Sequence, residues 1–214
     1  LKIMESFANL YKEKELSKKY AELAKKCKES FIKKFYNKKR KCFDDLVDDN
    51  SIRPNQLFAI GLHYPVVEPN SVEAKTAFET VTKKLLTPYG LKTLAKGEKC
   101  YREIYEGDQI KRDMSYHQGI TWPWLLGIYS DSFLNIISAE KNKTKKKELE
   151  EQYSKFAQNV EDTFYNEMYN RSTVGSISEL YDSAKPYEAK GAFAQAWSVA
   201  EVFRIIEKRN KWES

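Results

Sequence analysis

Helical segments of two kinds alternate along this 214-residue chain, and that alternation restricts the folds open to it. The first kind is long, charged and apolar along a single stripe. In residues 15–36, Leu16, Tyr20, Leu23, Cys27, Phe31 and Phe35 recur every three or four positions, with lysines opposite. Residues 144–169 do the same with Leu149, Tyr153, Phe156, Val160, Phe164 and Met168. The shorter 71–86 places Ala74, Ala77, Phe78, Val81 and Leu85 on one face. Such stripes predict helices that bury one side and wet the other. The second kind is apolar nearly all round: NQLFAIGL (55–62), WPWLLGIYSDSFLNII (122–137) and AFAQAWSVAEVFRII (192–206). A helix without a polar face must be packed on several sides. Residues 1–11, with Ile3, Met4, Phe7, Leu10 and Tyr11, look like the tail of another inner helix.

Outer helices alternating with inner ones are what a double ring of helix hairpins demands. The expected fold is therefore all-α, a partial (α/α)6 toroid of about three and a half hairpins out of six. A separate helical bundle or a solenoid of helix pairs is the alternative, although the units share a pattern and no evident sequence repeat. The chain begins at Leu1 without a methionine, inside a helical pattern, as an excised piece would.

The connections add a second constraint. Segments 37–53, 87–121 and 170–190 each lead from a charged helix into an apolar one. All three far exceed the roughly 2 to 8 residues usual between packed helices, and long loops of that kind are commonly functional. In an up–down ring they fall at one end, over the N-termini of the inner helices. The chemistry is expected on that rim.

Composition narrows the classes of partner. The net charge of +6 is local, because residues 11–41 hold 13 Lys/Arg against 4 Glu. This run and KNKTKKK (141–147) lie on or beside periodic helices, where solvated lysine faces are the ordinary explanation. No recognition motif interleaves with them, so nucleic acid is not an expected partner. No apolar run reaches the roughly 20 residues of a membrane span, and no signal peptide opens the chain. Three cysteines without CxxC spacing read as reduced thiols of a cytoplasmic protein, and with only two histidines no metal site is implied.

The richest stretch is RDMSYHQGITWPW (112–124), which gathers Tyr116, His117, Gln118, Trp122 and Trp124 around Gly119. Aromatic faces beside amide and imidazole groups suit a pyranose, with its weakly apolar C–H face and rim of hydroxyls. A helix start explains the same residues, with Pro123 in the first turn and the aromatics in the core. The first long loop ends in Arg53, Asn55 and Gln56, where Asn55 also reads as a helix cap. The third holds GSISEL (175–180), where Glu179 follows two serines and sits between Ile177 and Leu180. A carboxylate so placed is an acid–base candidate, since burial and hydroxyl partners set its pKa; a surface glutamate is the alternative. Gln195 and Trp197 begin the last inner helix, and core packing accounts for Trp197 equally well.

Taken in order, RPNQLFAI, LLTPYGLKTL, YEGDQ…RD…YHQGITWPWLLG, GSISEL and AQAWSVAEV resemble the amylo-α-1,6-glucosidase domain of glycogen debranching enzymes. The likeness covers about residues 53–203 and is weaker over the first helices. It implies that residues 1–214 are the C-terminal half of an (α/α)6 domain, acting on α-glucans such as glycogen and limit dextrin. The implied reaction hydrolyses the α-1,6-linked glucose at a branch point with inversion, needs no cofactor, and belongs to cytoplasmic glycogen breakdown. The resemblance assigns the general base to Glu179. It puts Tyr116, His117, Gln118, Trp122 and Trp124 in the sugar-binding block, and matches Arg53, Tyr89 and Gln195 to further pocket positions. A glucoamylase-like or trehalase-like glycosidase, or a non-catalytic glucan-binding segment, are the alternatives.

One departure matters. The family's general acid is an aspartate in a Trp-x-Asp type motif, upstream of a VEINALWYNAL-like segment, and neither occurs here. The 214 residues alone are therefore expected not to cleave the bond. A half-ring also leaves apolar helix faces without neighbours, and such patches drive self-association.

Overall fold

The computed structural model describes residues 1–47, 49–172 and 174–213; Asp48, Thr173 and Ser214 lie outside the described residues. The chain opens with a helical hairpin, α1 (Lys2–Leu10) and α2 (Lys14–Phe35), followed by a short ribbon of β1 (Tyr36–Asn37) and β2 (Cys42–Phe43). A 3-10 turn, Pro54–Leu57, runs into α3 (Phe58–Gly61) and then α4 (Val72–Leu85). Next come β3 (Leu86–Thr87), β4 (Gly90–Lys92), α5 (Gln109–Tyr116) and β5 (Thr121–Trp122). The apolar α6 (Leu125–Ala139) precedes α7 (Lys143–Asn166), which ends in a π turn, Glu167–Arg171. Last are β6 (Leu180–Tyr181), β7 (Ala189–Lys190) and α8 (Ala196–Glu213).

Helices dominate, as the two kinds of pattern require. Their starts are chemically marked. Ser71 accepts from the Ala74 N–H (3.1 Å), Asp108 from Lys111 (2.9 Å) and Asn142 from Lys145 (3.0 Å), each satisfying an orphan donor of a first turn. Asn55, by contrast, caps nothing: Pro54 occupies the first turn and Arg53 the capping position.

The hub of the molecule is α6. It packs against α3, α4, α7 and α8, and ten of its 15 residues are buried. Its few polar groups are spent inside that packing. Ser132 donates to the Leu57 carbonyl (3.0 Å) and Asn135 to that of Ile60 (2.9 Å), closing carbonyls at the short inner turn. Where α6 meets α8, Gly127 leaves room for Glu201, and a Cβ there would fall inside the Glu201 carboxylate. Arg204 of α8 grips Asp131 of α6 with two bonds of 2.8 Å. On the other side, Phe78 of α4 stacks on Tyr129 with ring centroids 4.7 Å apart. Tyr153 of α7 meets Phe133 edge-on and exchanges a hydroxyl bond with Ser130 (2.9 Å).

Three features depart from the sequence expectation. The apolar stretch 122–137 starts its helix only at Leu125, because Trp122 is held in a strand; 192–206 starts at Ala196 and runs on to Glu213. Residues 109–116, expected as loop, form α5. Most consequentially, two of the three long loops contribute strands to one antiparallel five-stranded sheet, ordered β3-β4-β5-β6-β7. Its registers include Leu91 opposite Trp122, Thr121 opposite Tyr181 and Leu180 opposite Lys190. Strands of two or three residues are too short to show period-two alternation, so tertiary pairing creates them.

Candidate active site

The sheet brings the candidate carboxylate to the aromatic block. Because Thr121 pairs with Tyr181, the GSISEL segment runs beside the YHQGITW segment, although some 60 residues separate them in sequence. The first long loop joins them through Arg53. One guanidinium nitrogen donates to the carbonyls of Thr93 (3.1 Å) and His117 (2.7 Å), and the other to the Gln118 side chain (2.9 Å). Its Nε also lies 3.7 Å from Asp45. The three long connections thus meet at one place.

At that place Glu179 is half-buried and held at both carboxylate oxygens. The Tyr116 hydroxyl donates to Oε1, and the Ala192 N–H donates to Oε2 at 3.0 Å. The backbone repeats the grip, since the Glu179 N–H donates to the Ala192 carbonyl (2.8 Å). Gly191, at φ +70, has no alternative here: a Cβ would be driven into the Glu179 carboxylate from a backbone region that L-residues avoid. An ionised carboxylate has about four lone-pair sites, so one donor per oxygen leaves it free to accept from a water as well.

Tyr116 is itself fixed. Its ring meets Trp122 edge-on at 4.8 Å and lies 5.8 Å from Tyr105. The Trp122 indole N–H donates to the Tyr116 carbonyl (3.0 Å). Burial, and then the bond to Glu179, push the Tyr116 phenol pKa well above its ordinary value, so it stays protonated as a donor. His117, exposed on its outer side, stacks on Trp122 at 5.1 Å, and partial desolvation followed by the Arg53 charge lowers its pKa from the ordinary imidazole value.

The aromatic row continues outward. Trp197 lies 6.2 Å from Trp122 and 5.7 Å from Trp124, which in turn lies 6.1 Å from Phe58. Gln195 joins this edge through its N–H on the Ile177 carbonyl (2.9 Å), while its own side chain accepts from Ala196 (3.1 Å).

Not every sequence candidate converges here. Gln56 is buried with its amide committed to backbone, accepting from Phe43 (3.2 Å) and donating to the Arg53 carbonyl (2.9 Å). Asn55 is exposed and donates to Asp45 (2.8 Å). Tyr89 turns toward α7: it stacks on Tyr181 at 4.7 Å, meets Phe164 edge-on, and receives the Arg171 guanidinium on its hydroxyl. Arg53 commits its guanidinium to two backbone carbonyls and to the side-chain oxygen of Gln118. Two interhelical clefts, one over Phe78 and Phe133 and one over Leu126 and Phe156, include none of the candidates. The sequence reading missed the Ala192 N–H, because a backbone donor carries no residue signature. It left Trp197 open between the rim and the core, and the structure leaves that residue 47% exposed.

Here a helical scaffold presents, on its loops, a carboxylate held at both oxygens in the same loop region as a row of aromatic rings. The chain matches the family model of amylo-alpha-1,6-glucosidase over residues 1–204, and it belongs to that family. The family is one of debranching-type glycoside hydrolases, and the match is consistent with the C-terminal domain of a glycogen debranching enzyme. Among the described residues, no helix is long and apolar enough to cross a membrane.

Proposed function

We propose that this chain contributes the general-base half of an inverting α-1,6-glucosidase site, acting on branch-point glucose of glycogen-type α-glucans in the cytoplasm. The observation that supports this reading is the setting of Glu179. Tyr116 and the Ala192 N–H hold its two oxygens, and Tyr116 rests against Trp122. In the step, Glu179 accepts a proton from a water whose oxygen bonds to the anomeric carbon. The bond from that carbon to O6 of the branch-point glucose breaks, and a second carboxylic acid protonates the departing oxygen.

The second carboxyl group must lie about 6.5 to 9.5 Å from the first, leaving space for the water. By resemblance it comes from an aspartate in the preceding half of an (α/α)6 ring, of which residues 1–214 form the C-terminal half. The 214 residues by themselves then bind glucan without hydrolysing it, and their open apolar faces favour self-association. On this reading Tyr116, His117, Gln118, Trp122, Trp124 and Gln195 line the sugar site around Glu179. Arg53, Asn55, Gln56 and Tyr89 serve as the frame that holds the loops.

Proton NMR of the first turnovers on an α-1,6-glucosyl maltodextrin, with both halves of the domain present, tests the chemistry. Inversion predicts that β-glucose forms first and then mutarotates. Initial α-glucose would contradict it.

A further inference from the structure

Trp197 stands out because its exposure and its fixation disagree. An indole that is 47% exposed is usually free to move, yet this one is braced by Trp122 at 6.2 Å and Trp124 at 5.7 Å. It sits in the first turns of α8, whose entry is fastened to the carboxylate segment. There the Ala192 N–H donates to Glu179 and the Gln195 N–H to the Ile177 carbonyl. The next residue, Ser198, is fully buried, which anchors the turn that carries the indole. A braced, solvent-facing apolar plane on a helix whose entry is bonded to the Glu179 segment is preorganised for a flat ligand, since little side-chain freedom remains to be lost on binding.

Resting on the glucosidase reading above, we propose that Trp197 is a stacking platform for a glucosyl ring of the α-glucan, a substrate-binding residue that sets affinity without taking part in proton transfer. Its outer face receives the apolar C–H side of the pyranose. The polar groups of His117, Gln195 and Glu179 around the same rim remain for the hydroxyls. Trp122, 3% exposed and committed through its N–H to the Tyr116 carbonyl, is the brace for this platform.

The test uses the intact protein and an α-1,6-glucosyl maltotetraose. Trp197→Ala is expected to raise KM about tenfold, the size an exposed aromatic contact of this kind carries, with kcat changed less than about twofold. Trp197→Phe, which keeps a smaller flat face, should fall between. Thermal melting of each variant serves as the control, and an exposed ring predicts little change there. An unchanged KM in a Trp197→Ala variant of a wild type that does cleave the substrate overturns the platform alone. So does a change confined to melting temperature or sedimentation, which would assign the indole to packing or self-association. A wild type that neither binds nor cleaves α-glucans overturns the glucosidase reading, and the platform with it.

Discussion

Helix α2 of the first hairpin and the helices α4 and α7, which pack with α6 and α8 into one group, have the same kind of stripe in sequence and very different fates in the fold. In the packed group, Phe78, Tyr129, Phe133 and Tyr153 form one continuous aromatic cluster with almost no exposed surface. In the hairpin, α2 buries no residue fully and α1 buries only Ala8. Ile3, Met4, Phe7, Leu10, Leu16 and Leu23 all remain exposed. The far end of α2 is packed in, where Phe31 stacks on Phe35 and on Phe43 of β2, while polar contacts tie Ser6 to Tyr64 (3.0 Å) and Lys28 to Glu68. An amphipathic stripe states that a face is to be covered. It does not state what covers it.

The sharpest way to break this comparison is to delete an aromatic from each region. Tyr153→Ala removes a ring that is 1% exposed, and should cost about 3 to 5 kcal/mol. Phe7→Ala, in a helix where that ring is 52% exposed, should change stability by no more than about 0.5 kcal/mol. Urea denaturation midpoints at constant slope measure both. Similar shifts in the two variants would mean that the hairpin is covered after all.

A smaller effect sharpens it. Gly127→Ala would be mildly favourable on an isolated helix, by about 1 kcal/mol. Here the added methyl meets Glu201 across the contact between α6 and α8, and the overpacking should cost about 1 to 3 kcal/mol. A lowered melting temperature is the expected readout. A raised one would show that α6 and α8 are not pressed together.

How much of this was legible beforehand follows from the same physics. Long periodic segments announced α2, α4 and α7, because a one-sided stripe repeats over many turns. The apolar runs announced helices packed on several sides, which α6 is, though α8 leaves Trp197 and Phe203 uncovered. The five-stranded sheet left no trace, since strands such as Thr121–Trp122 exist only through pairing with residues far away in sequence. The site was half-readable. Glu179 and the aromatic block could be named from residue chemistry and resemblance. Their mutual contact through Tyr116 depends on the unforeseen sheet. Arg53 and Gln56 use their polar side chains on backbone and on Gln118, a role that residue type alone does not distinguish from ligand binding.

The central claim is that the carboxylate of Glu179 takes the proton from the attacking water. Its most direct test is Glu179→Gln in the protein with both halves of the domain, assayed on an α-1,6-glucosyl maltodextrin alongside calorimetric titration with maltopentaose. Loss of the base predicts a kcat reduced by about a hundred- to ten-thousandfold with glucan affinity retained. Wild-type kcat in that variant would contradict the account.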